Sequence, residues 1–368
     1  YSLFGRSALA VGVVHIMLDL LSITMLVEIG RRLFRNAWIG WIAGVLYAFY
    51  PYLIFQNLTL IDTPFFMALF YALILALIGL RGRTPLDRTT WILAILAGVL
   101  LGLTALVRPN VVPFTAFVTL WFLFRRSFAQ TVIRLVPVAL ISLMVVLPLF
   151  VRNTNLYGTS VTFSVNSGSN FYQGNNPQTI PFLRAGYDVQ WVTPPEDIPD
   201  SPEGDRRWYA ITLAYLRENP SVISELAWVK FLAFWSIDIF PRFNPVEGVV
   251  PPLDAQGNLL PEEVQLGGLP EGDPVGQYQT PLFDQIGRVI HRVYFGVLLV
   301  LSLIGIALTR KQWRDVSLLW FVQITMTLTY LVFHPSTRYR APTDPLLFLF
   351  AAFAVYAISQ VSFKHINK

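Results

Sequence analysis

Continuous apolar runs of about 20 residues recur along the chain, and they limit its fold more than any other feature. The hydrocarbon core of a membrane is about 30 Å thick, which a helix of roughly 20 residues crosses. Only helices and closed barrels satisfy their backbone hydrogen bonds in that core, and barrel strands alternate apolar with polar residues. Because the runs here do not alternate, the sequence predicts an all-α polytopic membrane protein.

The composition agrees with this fold class. Hydrophobic residues make up 54% of the chain and charged residues only 13%, whereas soluble domains carry about 25% charged residues. This balance excludes a soluble globular enzyme and a disordered chain. The sequence contains no cysteine, which excludes disulfides, a thiol nucleophile and a thiolate metal site.

Nine of the apolar runs are predicted to be transmembrane helices. Their approximate ranges are 8–29, 37–55, 60–80, 90–107, 111–125, 132–151, 288–308, 315–334 and 344–362. A further apolar stretch at about 221–240 is interrupted by Glu225, Lys230 and Asp238. We interpret it as an interfacial or re-entrant helix, because three charges disfavour a full crossing.

Basic residues indicate the orientation, because Lys and Arg concentrate in cytoplasmic connections. They occur in every second connection and at the C-terminus: Arg31, Arg32, Arg35; Arg81, Arg83, Arg88; Arg125, Arg126, Arg134; Arg310, Lys311, Arg314; Lys364, Lys368. The stretch from Arg152 to Arg288 has 8 basic and 16 acidic residues, against 19 and 6 in the remainder. The alternation predicts six spans in 1–151, one large extracytoplasmic loop at 152–287 and three spans in 288–368. We expect a bacterial inner (plasma) membrane protein whose first residue, Tyr1, also lies outside the cytoplasm.

The large loop contains one helical pattern and one irregular stretch. Apolar residues recur at helical spacing from Gly204 to Asn219, where Pro220 ends the pattern, and predict an amphipathic helix. Residues 241–285 are rich in Pro, Gly and acids, and we expect an irregular excursion there.

Three arginines fall at helix ends on the predicted outer side, where the connections are otherwise poor in basic residues: Arg108, Arg338 and Arg340. Guanidinium groups bind phosphate oxygens in bidentate fashion, so a lipid phosphate is a natural partner. The alternative is that they reach the interface or pair with acids of the loop. Pro335 and Pro342 flank the last two, and we predict an extended segment with both guanidinium groups on one side.

Two other charged positions stand out. Asp62, at the predicted outer start of the third span, is either a functional carboxylate or an N-cap with Pro64 in the first helical turn. His15 and Asp19 lie four residues apart on one helix face. A mutual or interhelical hydrogen bond accounts for that pair.

Six stretches of the sequence carry a resemblance to a known family: Gly30-Arg31-Arg32-Leu33-Phe34, Tyr50-Pro51, Leu60-Ile61-Asp62-Thr63-Pro64, Leu106-Val107-Arg108-Pro109, the stretch from Ser164 to Pro177, and the stretch from Arg338 to Pro345. In their order and predicted placement they resemble the polyprenol-dependent GT-C glycosyltransferases, and most of all the protein O-mannosyltransferase and aminoarabinose transferase families. The similarity extends over essentially the whole chain.

The resemblance implies an inverting transfer of a sugar from a polyprenyl-phosphate donor to a lipid, protein or glycan acceptor at the extracytoplasmic face. It places the catalytic base in a first outer loop, which we expect to precede Tyr1 in a longer protein. Asp62 would then position the acceptor or an optional divalent metal ion. No nucleic-acid partner is expected.

The resemblance also implies roles for the remaining candidates. Arg108, Arg338 and Arg340 would stabilise the donor phosphate as its charge develops. Asn170, Tyr172 and Asn175 would hydrogen-bond the sugar. The alternative for those three is a structural turn of Asn and Gly residues.

Two other functional classes fit the composition. A lipid-linked polysaccharide polymerase or ligase shares the large outer loop and the arginines. A lipid or sugar transporter also fits, although transporters favour internal repeats and helices broken near the midplane. The sequence has no evident repeat, and its polar residues gather towards one predicted face.

The orientation can be tested with single cysteines, because the native chain has none. We expect membrane-impermeant thiol reagents to reach cysteines placed near positions 175, 255 and 337 from outside intact cells. Cysteines near positions 33, 85, 127, 312 and 366 should react only after the membrane is permeabilised. Labelling of position 255 solely from the cytoplasmic side would contradict the orientation and the site assignments built on it.

Overall fold

A computed structural model describes residues 7–57, 59, 61–83, 86–192, 194–243 and 281–366. Within these ranges every regular element is a helix, and the sheet-like pairing is limited to an isolated bridge between Tyr187 and Phe243. The predicted all-α polytopic class is confirmed. Tyr1, Lys368 and most of the predicted excursion at 241–285 lie outside the described residues.

Fifteen α-helices are numbered here in chain order within the described ranges. They are α1 Ala8–Phe34, α2 Ala37–Ala48, α3 Pro51–Asn57, α4 Thr63–Gly82, α5 Arg88–Val107, α6 Phe114–Leu123, α7 Phe128–Tyr157, α8 Ser167–Gln173, α9 Thr179–Ala185, α10 Pro202–Glu218, α11 Val222–Phe234, α12 Pro281–Leu308, α13 Trp313–Val332, α14 Thr337–Arg340 and α15 Asp344–Ile366. Short 3₁₀ turns lie at Pro109–Val111, Val189–Trp191, Thr309–Gln312 and Ala341–Thr343.

Six helical segments of the described chain are long and apolar enough to cross a membrane. They are Leu9–Phe34, Thr63–Gly82, Arg88–Val107, Phe128–Tyr157, Gln285–Val332 and Thr337–Gln360. The pair α2 and α3, bent by 57°, is a seventh candidate if it crosses as one span. The bend has a local cause, because Pro51 disfavours the helical conformation at Tyr50. Pro109–Leu123 is a shorter apolar helix, so the predicted count of nine spans stays a prediction.

The segment Gln285–Val332 contains 48 residues, which would be about 72 Å long as one straight helix. That length is more than twice the thickness of a bilayer core. The turn at Thr309–Gln312 interrupts it and carries two basic residues. The segment is therefore long enough for the two predicted spans at 288–308 and 315–334.

Contacts that α12 and α13 make away from the turn between them show that these helices fold back on each other. The ring of Tyr294 on α12 stacks on Tyr50, whose hydroxyl donates a 2.8 Å hydrogen bond to Asp344. Gln323 on α13 donates a 2.8 Å hydrogen bond to the carbonyl oxygen of Thr343. Both helices thus reach the start of α15, and the turn between them lies at the opposite end.

Glycines bring α5 and α7 into close contact. A Cβ atom at Gly98 would lie 2.7 Å from Cβ of Ile141, and one at Gly102 would lie 2.6 Å from Cβ of Val145. Small residues at such positions let transmembrane helices approach closely enough for extensive van der Waals contact. We expect any larger residue at either glycine to push the two helices apart.

Contacts divide the chain into two compact units, which are described separately here. Unit 1 comprises Tyr1–Val151, Tyr294–Met326 and Ala341–Lys368, and unit 2 comprises Arg152–Val293 and Thr327–Arg340. The division does not show on which side of a membrane each part lies. The predicted assignment of 1–151 and 288–368 to the membrane, and of 152–287 to an outer loop, therefore stays a prediction.

One end of unit 1 is strongly basic. Asp315 accepts hydrogen bonds from Arg81 at 3.4 Å and from Arg125 at 2.8 Å, and Arg126 donates to the carbonyl oxygen of Arg81 at 2.7 Å. Arg81 lies near the end of the 20-residue helix α4, which begins directly after Asp62. Asp62 therefore lies about 30 Å along the helix from this basic end.

Unit 2 has its own apolar core, built around Phe182, Val189, Trp208 and neighbouring residues. The predicted amphipathic helix is confirmed as α10: Ser201 caps its first turn through a 3.0 Å bond from the amide of Gly204, and Trp208 is buried. The helix ends before Asn219, as the following proline requires. In the predicted 221–240 stretch, α11 covers only Val222–Phe234, and its placement at the membrane interface stays a prediction.

Candidate active site

Asp62 and Arg108 form a two-pronged ion pair in unit 1. Arg108 donates from Nε to Oδ2 of Asp62 at 2.7 Å and from Nη2 to Oδ1 at 2.9 Å. Nη2 also donates to the hydroxyl of Thr63 at 2.9 Å. The Asp62 side chain makes no capping bond to the first turn of α4. Asp62 thus occupies the N-cap position of α4, with Pro64 in the first turn as predicted, but its carboxylate binds Arg108 instead of capping the helix.

The two partners differ in exposure. The Arg108 side chain is 10% exposed and lies over the ring of Phe66 at 5.0 Å, whereas the Asp62 side chain is 39% exposed. Pro109 follows Arg108 and ends α5, so the guanidinium group extends from the C-terminal end of that helix, where its dipole favours a cation. The result is an oriented carboxylate, neutralised from its buried side, which can still accept a hydrogen bond from a hydroxyl group.

Arg338 and Arg340 do not lie in the predicted extended segment. That prediction is wrong, because Thr337–Arg340 forms one helical turn. Residues two apart in a helix point in directions about 200° apart. The Arg338 side chain is accordingly exposed, while Arg340 is 0% exposed.

Arg340 binds backbone oxygens at the end of α11. Its Nη1 donates to the carbonyl oxygen of Phe234 at 2.7 Å and to that of Ser236 at 2.8 Å. These carbonyls have no partner within α11, because they lie at or beyond its last turn. Arg340 thus joins α11 to the segment before α15, and Arg338 is the arginine of the pair that faces solvent.

The three predicted sugar-binding residues lie in different surroundings. Tyr172 belongs to the apolar core of unit 2, with its ring 4.8 Å from that of Trp208, and burial raises the pKa of its hydroxyl. Asn175 is buried, and its Nδ2 donates to the carbonyl oxygens of Phe171 and Val332, both at 2.8 Å. Asn170 lies on α8 and is partly exposed. For Tyr172 and Asn175 this geometry favours the structural interpretation over contact with a sugar.

Lys230 is a buried cation whose partners the sequence did not indicate. It is 0% exposed, and Nζ donates to Oδ1 of Asn175 at 2.8 Å and to the carbonyl oxygens of Leu331 at 2.9 Å and Val332 at 3.4 Å. All three acceptors are neutral, and burial lowers the pKa of Lys230 to about 7. In the sequence, Lys230 stands out only as one of three charges that interrupt an apolar stretch, and this pattern does not indicate its partners.

The pair of His15 and Asp19 belongs to an interhelical network of unit 1. Asp19 accepts a 2.7 Å hydrogen bond from the hydroxyl of Tyr47 and another from Nδ2 of Asn57. Predicting an interhelical hydrogen bond was therefore correct. Among the described residues no group of three or more His, Asp or Glu side chains lies close enough together to hold a metal ion.

The comparison with known families concerns the segment that contains Asp62 and Arg108. Residues 1–151 match the family described as dolichyl-phosphate-mannose-protein mannosyltransferase. The resemblance predicted from the sequence is confirmed over these residues, and it supports a membrane glycosyltransferase. No curated protein and no solved structure matches the chain.

Breaking the Asp62–Arg108 pair should destabilise unit 1. Arg108→Ala leaves a partly buried carboxylate without its cation, and hydrogen bonds to charged groups contribute about 1.5–3 kcal/mol, so we expect a fall of several degrees in the melting temperature. A matched control is Asp87→Asn, which breaks the exposed pair with Arg83 but keeps an N-cap on α5. Differential scanning fluorimetry of the purified protein in detergent measures both. Equal melting temperatures for Arg108→Ala and the wild type would contradict the role of the pair.

Lys230 should make stability depend on pH. The unfolded chain holds the lysine proton up to about pH 10.5, whereas the folded protein releases it near pH 7. Since the unfolded state binds more protons between these values, the free energy of unfolding should rise with pH in that window.

We therefore expect the melting temperature of the wild type to increase from pH 7 to pH 9 by more than that of Lys230→Met. The methionine variant keeps the length of the side chain but has no group to titrate. Parallel pH curves for the two proteins would show that Lys230 is charged throughout the range.

Proposed function

We propose that the protein transfers a sugar from a polyprenyl-phosphate donor to an acceptor at the extracytoplasmic face of the membrane, with inversion at the anomeric carbon. The family match over residues 1–151 supports a lipid-linked sugar donor. The predicted topology supports the extracytoplasmic face, because the acidic 152–287 stretch and the Asp62 end of α4 fall on the side without basic connections.

The Asp62–Arg108 pair is the observation that carries this proposal. In the transfer, an acceptor oxygen forms a bond to the anomeric carbon as the bond from that carbon to the phosphate oxygen breaks. The acceptor hydroxyl must be oriented and its proton removed. Asp62, fixed by Arg108 and 39% exposed, is suited to orient that hydroxyl by accepting its hydrogen bond. The family resemblance assigns the proton-accepting base to another acidic residue and not to Asp62.

Arg108 acts in this proposal through Asp62. Two of its three nitrogens already donate to the carboxylate, so we assign it to holding Asp62 rather than to the direct phosphate contact predicted from the sequence. Orientation of reacting groups is a large source of rate enhancement, and small displacements are costly.

We assign binding of the donor phosphate to an arginine of unit 2. Arg338 is exposed, whereas Arg340 is buried on two backbone carbonyls, so Arg338 would bind the phosphate and stabilise its charge as it leaves. Arg340 would keep the Arg338 turn in place by its bonds to the end of α11.

Asp62→Asn should lower transfer at least tenfold, and it should also lower the melting temperature by several degrees because it breaks the ion pair with Arg108. Asparagine keeps the shape of the side chain but is a weaker acceptor and cannot balance Arg108. The assay is transfer of a radiolabelled sugar from a polyprenyl-phosphate donor by the full-length protein in detergent or proteoliposomes. Asp87→Asn is the control and should retain full activity. Wild-type turnover in Asp62→Asn, with a lower melting temperature, would show that Asp62 is purely structural.

A further inference from the structure

The basic end of unit 1 holds more positive charge than its carboxylates balance. Asp315 accepts hydrogen bonds from two arginines, and Asp87 accepts one from a third. Hydrogen bonds to these carboxylates and to shared carbonyl oxygens link five arginines at this end: Arg81, Arg83, Arg125, Arg126 and Arg134. Arg126 forms no ion pair with any carboxylate of the described residues. The linked group therefore carries a net positive charge.

Arg126 and Arg134 bind the end of α4 through backbone oxygens. Arg126 donates from Nη2 to the carbonyl oxygens of Arg81 at 2.7 Å and Arg83 at 2.9 Å, and Arg134 donates from Nη2 to that of Arg83 at 3.1 Å. Carbonyls at a helix end have no partner within the helix, so these bonds satisfy them. The end of a helix contributes only about half a negative charge, whereas each guanidinium group carries a full positive one. The hydrogen bonds are satisfied there, but the charge is not balanced.

Arg83 and Arg126 keep N–H groups that can bind a further acceptor. Nε of Arg83 has no hydrogen-bond partner among the described residues. The bonds of Arg126 use Nε and Nη2 and leave Nη1 for another acceptor. Both side chains are partly exposed, and both contribute to the contact at the carbonyl oxygen of Arg83. Guanidinium groups with N–H groups to spare bind phosphate oxygens strongly.

Exposed aromatic rings indicate the level of this end in a membrane. They lie in the first turns of three helices that begin at the basic end, α5, α7 and α13: Trp91, Phe128 and Trp313. Aromatic residues of membrane proteins, Trp above all, concentrate at the level of the lipid headgroups. The arginines at the end of α4 therefore lie at the depth of the phospholipid phosphates. Clusters of basic residues at that depth attract anionic lipids.

We propose that the basic end of unit 1 binds the headgroup of an anionic phospholipid, with the lipid phosphate between the guanidinium groups of Arg83 and Arg126. Arg134 holds the end of α4 in place and adds to the positive charge. This site is separate from the Asp62–Arg108 pair at the other end of α4. It depends neither on the proposed sugar transfer nor on which face of the membrane the basic end occupies.

The affinity of the full-length protein for single lipids tests the proposal. The probes are dioleoylphosphatidylglycerol and dioleoylphosphatidylcholine, and native mass spectrometry of the purified protein in detergent measures their one-to-one adducts. Both lipids carry the same phosphate and chains, but the choline ammonium group is repelled by the arginines. We expect phosphatidylglycerol to bind at least about fivefold more tightly. Equal affinities for the two lipids would overturn the proposal.

Two substitutions should change the affinity for phosphatidylglycerol in opposite directions. Arg126→Gln should weaken binding about fivefold, since each basic residue near a membrane surface contributes about 1 kcal/mol. Asp87→Asn should strengthen binding, because it removes the carboxylate that competes for Arg83. Asparagine still caps α5. A purely structural role of the cluster would predict no gain of affinity. Arg207→Gln, which breaks an exposed ion pair of unit 2, is the control and should bind like the wild type.

The proposal requires both changes. A wild-type affinity in either Arg126→Gln or Asp87→Asn, or equal weakening in the Arg207→Gln control, would overturn it. If Arg126→Gln does not fold, Asp87→Asn decides alone, and only tighter binding supports the proposal. Inorganic phosphate in excess should leave the phosphatidylglycerol adduct intact. Displacement of the lipid by inorganic phosphate would show a site for the free anion and would contradict lipid binding.

Discussion

A charged side chain buried in an apolar interior costs several kcal/mol unless hydrogen bonds or an opposite charge compensate it. In both units this constraint determines the contacts of the buried charged residues. Asp62 is compensated by Arg108, Arg340 by two backbone carbonyls, and Lys230 by an amide oxygen and two carbonyls. The three side chains differ in how much of the charged group stays accessible to solvent. Asp62 keeps an exposed carboxylate, whereas Arg340 and Lys230 are fully enclosed.

This difference separates residues that can meet a substrate from residues that hold the fold. Lys230 binds α11 to the end of α13 at Leu331, and Arg340 binds the end of α11 to the turn that carries Arg338. A phosphate ligand of Arg338 would therefore meet a turn whose backbone is already in place.

The apolar runs predicted the helices well, because a membrane helix needs only length and hydrophobicity. The end of α10 was also predicted from Asn219-Pro220, whereas its start was placed at Gly204, two residues after the observed first residue Pro202, which Ser201 caps. The extended segment predicted around Arg338 was wrong. Pro335 and Pro342 disfavour helix only at the residues that directly precede them, whereas the prediction extended that effect to every residue between them. Four residues fit between them as a single turn.

The partners of the polar candidates could not be read from the sequence for a different reason. Lys230 binds carbonyl oxygens about 100 residues away, and every residue type offers a carbonyl oxygen. A side chain at position 174 would collide with the carbonyl oxygen of Phe333. The structure therefore explains why Gly174 is a glycine, but the sequence alone does not reveal that contact. Asp62 and Arg108 were both recognised as unusual, but nothing in their spacing showed that they bind each other.

The central claim is that the sugar arrives on a lipid phosphate, and the donor preference of the full-length wild-type protein tests it most directly. The purified protein in proteoliposomes is offered the same radiolabelled sugar as a polyprenyl-phosphate ester or as a nucleotide ester, with a membrane extract as the source of acceptor. The account predicts labelled product from the lipid ester, with release of polyprenyl phosphate, and none from the nucleotide ester. Transfer from the nucleotide ester, with the lipid ester left intact, would contradict it.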